Sequence, residues 1–324
     1  MSFPGFAYLL AFVAALIGTA AAVPFWRRWC CRIGLVDDPG HRKIHQNATP
    51  LAGGLAVFTG LVMAVLGGVA AIQFGVFDKE VQRLLDHGLG RRAIPLGAIL
   101  LGALWMLLLG LWDDRHELKA GSKFMGQIGA ALFVAASGVR VTLFVPNDLF
   151  SYAVTVLWLL TIINAFNFMD NMNGLCAGVG AIAAGWFAVI AGGHGQYLVT
   201  LLAILICGAL TGYLPFNFPR ASVFLGDAGS LLTGYLVGVV AILPDFYSVK
   251  NPTPWAVLIP LAVLFVPLAD LVSVVVIRTR QGRPFWIGDN NHASHRLVRA
   301  GLSKVQAVLV LWGCSLAAGL IGLL

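Results

Sequence analysis

PLGAILLGALWMLLLGLWDDRHELKAGSK, residues 95–123, is an apolar run that ends in two carboxylates. It contains no charged side chain from residue 95 to residue 112, and then reaches Asp113 and Asp114. As a helix, which rises about 1.5 Å per residue, such a run crosses most of a hydrocarbon core of about 30 Å. The stretch therefore predicts a membrane-spanning helix with two acids at its end.

Apolar runs of this kind recur along the whole chain. Of the 324 residues, 59% are hydrophobic and 11% are charged, which is too little polar surface for a soluble protein of this size. A spanning helix needs about 20 apolar residues. The sequence therefore predicts an all-α, polytopic integral membrane protein with a single transmembrane domain over residues 1–324 and about ten transmembrane helices, near residues 6–26, 51–73, 95–112, 124–139, 151–169, 174–193, 197–214, 228–244, 254–277 and 305–323.

Lys and Arg predict the orientation, because basic loops stay in the cytoplasm. Of the 21 basic residues, 15 lie in alternate loops, counted from the loop after the first span. Both termini are therefore predicted on the outer side. The same rule explains most of the net charge of +7, so no nucleic-acid partner is predicted. The predicted cytoplasmic loops lie at about 27–50, 113–123, 170–173, 215–227 and 278–304.

The first span is predicted to be a retained helix rather than a signal peptide. It has no basic residue before it, and Arg27 and Arg28 follow it, which is the reverse of the signal-peptide pattern.

Acidic residues mark the ends of three predicted spans. Asp113 and Asp114 close span three, Asp170 closes span five and Asp227 opens span eight, all on the predicted inner side. Neighbouring carboxylates repel unless a cation lies between them, and Mg²⁺ prefers such oxygen ligands. We therefore predict a divalent metal site, for Mg²⁺ or alternatively Mn²⁺. For each aspartate alone, capping or ending a helix is an equally good interpretation.

Polar side chains accompany these acids. Asn164, Asn167 and Asn173 stand near the end of span five and suit polar ligand chemistry. Phe224, three residues before the aspartate of span eight, is a candidate for stacking on a nucleobase, and an interfacial aromatic anchor is the alternative.

The loop after the first span, VDDPGHRKIHQNATPLAGG (residues 36–54), supplies positive charge. Arg42, Lys43 and His45 are candidates for phosphate contacts, and Gly53 and Gly54 allow two backbones to approach closely. The alternative is that the basic residues only set the topology.

The loop after span nine, RTRQGRPFWIGDNNHASHRLVRAG (residues 278–301), contains His292, His295 and Arg296. These are candidates for binding a diphosphate, since protonated His and Arg suit phosphate and Mg²⁺ favours oxygen over imidazole. Metal binding by the two histidines and solvated loop histidines remain alternatives.

Together these motifs resemble the polyprenyl-phosphate N-acetylhexosamine-1-phosphate transferases (glycosyltransferase family 4), which start bacterial envelope glycans and eukaryotic N-glycans. The resemblance rests on VDDPGHRKIHQNATPLAGG, the WDD end of span three, NAFNFMDNMNGL, FLGDAGS and DNNHASHRL, in the family's order. It implies ten helices with both termini outside, in the bacterial cytoplasmic (inner) membrane, with the active site facing the cytoplasm. It also implies that undecaprenyl phosphate attacks the β-phosphate of a UDP-N-acetylhexosamine and releases UMP, with Mg²⁺ on the diphosphate.

The resemblance also implies roles for matching residues. Asp227 matches a metal ligand, with Asp113 and Asp114 as a second ligand or as the group that positions or deprotonates the lipid phosphate. The positions that face the uridine are matched by Asp170, Asn173 and Phe224, and the loop over the diphosphate by His292, His295 and Arg296.

Three residues depart from the family pattern. The family commonly has Gly and Asp where Asn171 and Asn173 stand, and a third histidine where Ser294 stands. The loop also lacks three consecutive histidines. The resemblance therefore favours the GlcNAc-1-phosphate branch, which initiates O-antigen, enterobacterial common antigen or teichoic-acid linkage, over the phospho-MurNAc-pentapeptide transferases. Asp270, inside span nine, is either a structural partner or part of the lipid-phosphate groove.

Two other classes compete with this interpretation. An ion-coupled transporter also uses intramembrane carboxylates, but its site lies near the bilayer midplane. A non-catalytic lipid-binding homologue would fit the departures at Asn173 and Ser294. A homodimer is left open.

Overall fold

The structure is a computed structural model that describes residues 5–37, 48–76, 79–141, 145–244, 246, 254–284, 286 and 289–323, with the backbone alone at 79–89, 91 and 254. Helices make up 79% of it, which confirms the all-α prediction. The strands β1 (Val36–Asp37) and β2 (Thr49–Pro50) pair antiparallel at the two ends of the first loop.

Twelve α-helices lie in the described part of the chain: α1 (Gly5–Ile33), α2 (Gly53–Gln73), α3 (Lys79–His116), α4 (Ala120–Ala136), α5 (Asp148–Met169), α6 (Leu175–Gly193), α7 (Tyr197–Tyr213), α8 (Gly226–Val240), α9 (Ile259–Val263), α10 (Phe265–Arg280), α11 (Ala293–Arg299) and α12 (Lys304–Leu320). Short 3₁₀ helices cover Leu214–Phe216, Pro254–Leu258 and Ile321–Leu323.

Seven helical segments of the described chain are long and apolar enough to cross a membrane, and the bent pair Trp255–Val263 and Phe265–Arg280 makes an eighth if it crosses as one unit. The two other predicted spans correspond to α4 and α8, which have 17 and 15 residues. The multi-pass prediction thus agrees with the structure. The number ten and the orientation of the termini stay predictions.

Helix α3 departs most from its predicted bounds. It begins at Lys79, whereas the apolar run begins near Pro95, so most of the predicted outer loop at 74–94 is helical. Charged residues end an apolar run but are compatible with a helical backbone. Hydropathy therefore locates the span and misses the helix that precedes it.

Helix α8 lies at the centre of the bundle. Every residue from Ala228 to Val240 is buried, and the helix packs against α2, α3, α5 and α6. A Cβ on Gly54 would lie 2.5 Å from the backbone nitrogen of Gly229, so only glycine permits the contact of α2 with α8. The predicted close backbone approach at Gly54 is therefore confirmed, and it fixes the first turn of α8 among its neighbours.

The span that contains Asp270 is broken. The helical segment Trp255–Val263, which ends with α9, meets α10 at 74° around Leu264. Pro267 explains the break, because in a continuous helix its ring would clash with the carbonyl of Val263, four residues earlier, where α9 ends.

Candidate active site

Three helix ends meet at Lys123, in the first turn of α4. The Lys123 Nζ lies 2.5 Å from Asp113 Oδ2 at the end of α3 and 3.2 Å from Asp227 Oδ1 at the start of α8. It also donates a hydrogen bond to Asn167 Oδ1 near the end of α5, at 3.2 Å. Asp113 is 7% exposed and Lys123 15%, so water screens these contacts only weakly. Three oxygen atoms from three helices therefore surround one ammonium group.

Asn167 holds the side chain of Asp227. Its Nδ2 donates to Asp227 Oδ1 and, at 2.8 Å, to Ser230 Oγ one turn along α8. Both ends of the Asn167 amide are therefore engaged in the cluster. The Asp227 side chain stays 35% exposed, so the carboxylate is held firmly at a point that a ligand can reach.

Asp114, next to Asp113, caps the start of α8 from another helix. Its Oδ1 accepts a hydrogen bond from the backbone N–H of Asp227 at 2.7 Å, and its Oδ2 accepts one from Ala228 at 3.1 Å. The first N–H groups of a helix lack partners within the helix, and a carboxylate satisfies them well. Gly226 has a φ of 73°, and a Cβ there would lie 2.7 Å from Asp114 Oδ2, so this turn requires glycine.

Asn164, a predicted site residue, joins α5 to α4 below the cluster. Its Nδ2 donates to Gln127 Oε1 at 2.6 Å and to the backbone oxygen of Leu160 at 2.8 Å. Gln127 follows Lys123 by one turn, and Asn164 precedes Asn167 by about one turn. The two polar pairs therefore stack along the contact between α4 and α5, and Asn164 supports the site from beneath.

Asp170 and Asn173 lie in the loop just beyond α5. Burial, followed by repulsion from Asp227 and Asp114, raises the pKa of Asp170 to about 8. Repulsion among these three carboxyl groups thus extends from the ends of α3 and α8 to this loop. Asn173 Nδ2 donates to the backbone oxygen of Pro219 at 3.3 Å, which ties the loop to the connection between α7 and α8.

Phe224 is tied to the first loop through its backbone. Its N–H donates to the oxygen of Pro50 at 2.9 Å, and its oxygen accepts from Gly53 at 3.0 Å. The motifs TPLAGG and FLGDAGS are thus joined side by side. Arg42, Lys43 and His45, which belong to the same first loop, lie outside the described residues, and their phosphate contacts stay a prediction.

Asp270 holds the histidine loop. Its Oδ2 lies 2.7 Å from His292 Nδ1, and its Oδ1 accepts a hydrogen bond from the backbone N–H of Ala293 at 2.6 Å. Asp270 and His292 are 4% and 5% exposed. This contact directs Nε2 of His292 away from Asp270 and fixes the ring. These contacts agree with the interpretation of Asp270 as a structural partner, and its place in a lipid-phosphate groove stays a prediction.

Ser294 links the histidine loop to the loop after α5. Its Oγ donates to Asn171 Oδ1 at 2.6 Å, and the side chain is buried. Two of the departures from the family pattern therefore contact each other. Since Asn171 follows Asp170 and Ser294 lies between the two histidines, this bond sets the distance between two predicted parts of the site.

A buried ion pair fastens the same loop to α10. Arg278 Nη2 donates to Asp289 Oδ1 at 3.1 Å, and the guanidinium lies 5.2 Å from the ring centre of Phe168. Burial acts to raise the pKa of Asp289, but hydrogen bonds from Arg278 and Asn291 outweigh it and lower this pKa to about 2. Asp289 is therefore ionised throughout the physiological range.

His295 and Arg296, the two other predicted phosphate-binding residues of this loop, have different surroundings. The rings of His292 and His295 lie 6.4 Å apart, centre to centre. Burial, followed by the charges of His292 and Arg299, lowers the pKa of His295, so it is neutral at neutral pH and does not supply the positive charge expected for phosphate binding. Arg296 donates to Ser273 Oγ on α10 at 3.2 Å.

The oxygens around Lys123 fit a hard metal ion. Asp113, Asp227 and Asn167 supply two carboxylates and an amide oxygen, and a cation, the ammonium group, already lies among them. Mg²⁺ typically takes one or two carboxylates and completes its shell with water and phosphate oxygens. Within the described residues, no three His, Cys, Asp or Glu side chains are grouped so that they could hold a metal ion. The predicted trio with Asp114 is therefore not a ready-made cage.

Lys123, the centre of the cluster, is not among the residues predicted from the sequence. Its only signal is its place in the first turn of an apolar helix on the side where the acids lie, and a lysine there is also explained by topology. Gln127 gives a stronger signal, because a polar side chain inside a predicted span usually has a partner.

Comparison with known proteins places this chain among relatives along nearly its whole length. The profile of Glycosyl transferase family 4 matches residues 96–245, from α3 beyond α8. The chain is 32% identical to the "Probable undecaprenyl-phosphate N-acetylglucosaminyl 1-phosphate transferase" of Bacillus subtilis, over 94% of this chain and 81% of that protein. It is 34% identical to the "Decaprenyl-phosphate N-acetylglucosaminephosphotransferase" of Mycobacterium tuberculosis, over 92% and 79%.

A third relative, the "Undecaprenyl-phosphate alpha-N-acetylglucosaminyl 1-phosphate transferase" of Yersinia pestis, is 27% identical over 92% of this chain and 78% of that protein. The chain belongs to glycosyl transferase family 4.

Proposed function

We propose that this protein transfers N-acetylglucosamine-1-phosphate from UDP-N-acetylglucosamine to undecaprenyl phosphate and releases UMP. The observation that carries the proposal is the cation position lined by oxygen atoms where the ends of α3, α5 and α8 meet. The names of the relatives from B. subtilis and Y. pestis describe this reaction, which supports the same donor and acceptor here. The product is the first lipid-linked intermediate of a cell-envelope glycan.

The reaction asks the protein mainly for positioning and charge neutralisation. A non-bridging oxygen of undecaprenyl phosphate forms a bond to the β-phosphorus of the UDP-sugar. The bond from that phosphorus to the bridging oxygen breaks, and UMP leaves with this oxygen. A phosphate monoester has a second pKa near about 6 and is largely dianionic at neutral pH, so no protein base is needed for the attack.

We assign the metal ligands to Asp113, Asp227 and the oxygen of Asn167. A bound Mg²⁺, or Mn²⁺, supplies neutralisation of the diphosphate charge. Asp114 binds the backbone of α8 through both oxygens, which favours a positioning role over that of a ligand or base. Lys123 supplies a further positive charge at this end of α4.

The remaining predicted residues surround this centre in the proposal. His292 presents Nε2 to a phosphate oxygen while Asp270 keeps the ring in place. The uridine is assigned to Asp170, Asn173 and Phe224, and the remaining phosphate contacts to Arg42, Lys43, His45 and Arg296. His295 is assigned a hydrogen bond to phosphate from its neutral ring.

We propose that the site faces the cytoplasm from the bacterial inner membrane, with both termini outside. The asymmetry of Lys and Arg supports this orientation. The relatives' names favour GlcNAc over a MurNAc-pentapeptide donor. A cluster at helix ends argues against an ion-coupled transporter, whose site lies near the midplane.

Release of UMP tests the proposal. The purified protein is incubated with undecaprenyl phosphate, Mg²⁺ and a panel of UDP-sugars, beside the variants Asp227→Asn and Asp148→Asn. Asp148 is the matched control, since its side chain is 81% exposed at the other end of α5. We expect UMP with UDP-N-acetylglucosamine, little with Asp227→Asn and a normal rate with Asp148→Asn. Absence of UMP release by the unmodified protein with every UDP-sugar would contradict the proposal.

A further inference from the structure

Lys123 occupies the place where a metal ion is proposed to bind. Its ammonium group lies within 3.2 Å of oxygen atoms from Asp113, Asp227 and Asn167, and only 15% of its side chain is exposed. An ammonium group and Mg²⁺ are both compact cations that prefer oxygen partners. They cannot share one position, because like charges so close together repel strongly where water screens poorly.

We propose that Lys123 is the resident counter-cation of the metal-free site, and that a divalent cation binds by displacing its ammonium group from Asp113 and Asp227. The inference rests on the proposed function for the identity of the site. It adds that the metal-free and metal-bound proteins differ in the position of one lysine, which is a positioning residue for the reaction.

The chemistry of the site explains why the Lys123 ammonium group binds the two carboxylates and why a metal ion can displace it. Two carboxylates without a cation would repel each other, so the metal-free site needs its charge. The lysine stem has four rotatable carbons and no fixed fork, unlike arginine, so the group moves easily. A cavity of about 330 Å³ borders the same turn of α4 and is lined by Ala120, Gly121, Phe124 and Trp286. Ala120 and Phe124 flank Lys123 along α4, but Lys123 does not itself line this cavity, so release of the ammonium group relies on the flexibility of its stem.

The alternative is a permanent ion pair, in which Lys123 stays on both carboxylates and the metal binds elsewhere. The two arrangements differ in what removal of the lysine does to metal affinity. Displacement makes the lysine a competitor, so its removal strengthens metal binding. A permanent pair predicts unchanged or weaker binding.

Binding of Mn²⁺, measured by electron paramagnetic resonance on protein in detergent, tests the proposal without turnover. The variants are Lys123→Met and Lys119→Met, the latter an exposed lysine directly before α4 that serves as the control. We expect Lys123→Met to bind Mn²⁺ about tenfold more tightly, because the variant leaves two carboxylates without the cation that neutralises them. Lys119→Met should match the unmodified protein. Equal or weaker affinity of Lys123→Met would overturn the proposal.

A second measurement uses the unmodified protein and covers the case in which Lys123→Met fails to fold. An amine-reactive reagent is applied with and without saturating Mg²⁺, and modification of Lys123 and Lys119 is followed by mass spectrometry. We expect metal to raise the rate at Lys123 and leave that at Lys119 unchanged. A rate at Lys123 that stays the same or falls would overturn displacement. Absence of UMP release would instead contradict the transferase proposal, so the two failures are distinguishable.

Discussion

Asp114 and Asp227 lie on different helices, and the backbone N–H of Asp227 donates a hydrogen bond to Asp114 Oδ1 at 2.7 Å. One acid thus fixes the backbone that carries the other. The two adjacent acids at the end of α3 therefore have different roles. Asp113 contacts the ammonium group of Lys123, and Asp114 orients the helix from which Asp227 projects.

This division predicts an indirect effect for Asp114→Asn. The amide presents a donor to N–H groups that need an acceptor, so we expect a loss of about 1–2 kcal/mol in the free energy of unfolding. Turnover and Mn²⁺ affinity should fall together, because Asp227 loses its position. Thermal unfolding, UMP release and Mn²⁺ binding are measured on one preparation. A loss of turnover with unchanged Mn²⁺ affinity and stability would show that Asp114 acts directly.

Asp270→Asn tests the orientation of His292. The variant removes the carboxylate next to Nδ1 while keeping the size of the side chain. We expect kcat to fall by about 10- to 100-fold, the usual effect of losing a histidine's carboxylate partner. Because Asp270 contacts the ring at Nδ1 and not at Nε2, which faces the substrate in the proposal, KM for the UDP-sugar should change far less than kcat. An unchanged kcat would argue that the ring orientation does not matter to the reaction.

The bond between Ser294 and Asn171 predicts coupling of two loops. Ser294→Ala leaves the Asn171 oxygen without its donor and should cost about 1 kcal/mol, with a severalfold rise in KM for the UDP-sugar. Asn171→Ala should have a similar effect. The double variant should be no worse than Asn171→Ala, which removes the shared contact and also the bond from Asn171 Nδ2 to the backbone oxygen of Phe168. Fully additive effects in this cycle would mean that the two residues act separately.

The ion pair of Asp289 with Arg278 predicts a dependence of stability on pH. The pKa of Asp289 in the folded protein is about 2, below its ordinary value near about 3.9, so the ionised pair stabilises the fold above pH ~4. That stabilisation is lost as the pH falls from about 4 through about 2. The midpoint of thermal unfolding should therefore be lower for Asp289→Asn than for the unmodified protein at neutral pH. The difference between the two midpoints should become smaller in acid. A difference that stays constant from pH 7 to pH 3 would refute the stabilising role of the ion pair.

Local signals explain what the sequence predicts well. Apolar length locates the spans, and carboxylates such as Asp113, Asp170 and Asp227 stand out at their ends because apolar helices have no use for them. The asymmetry of basic residues then assigns these ends to one side. These arguments need only neighbouring residues, and the structure does bring the ends of α3, α5 and α8 together.

Contacts between distant residues explain what the sequence does not predict. The position of Lys123 among the acids depends on how α4 packs against α3 and α5. The bond from Asp114 to the backbone of α8 depends in the same way on the packing of α3 against α8. Asn164 belongs to a polar motif, yet helix rotation turns it toward Gln127. The start of α3 at Lys79 is not predicted, because hydropathy detects the apolar part of a helix that crosses the membrane and not the polar turns before it.

The fate of the two donor phosphates tests the central claim most directly. UDP-N-acetylglucosamine labelled with radioactive phosphorus at either the α- or the β-position is incubated with the protein, undecaprenyl phosphate and Mg²⁺, and lipid and water phases are separated. Transfer of sugar-1-phosphate places the β-label in the lipid and the α-label in UMP, and Asp227→Asn should block both. Release of both labels together as UDP, or no label in the lipid, would contradict it.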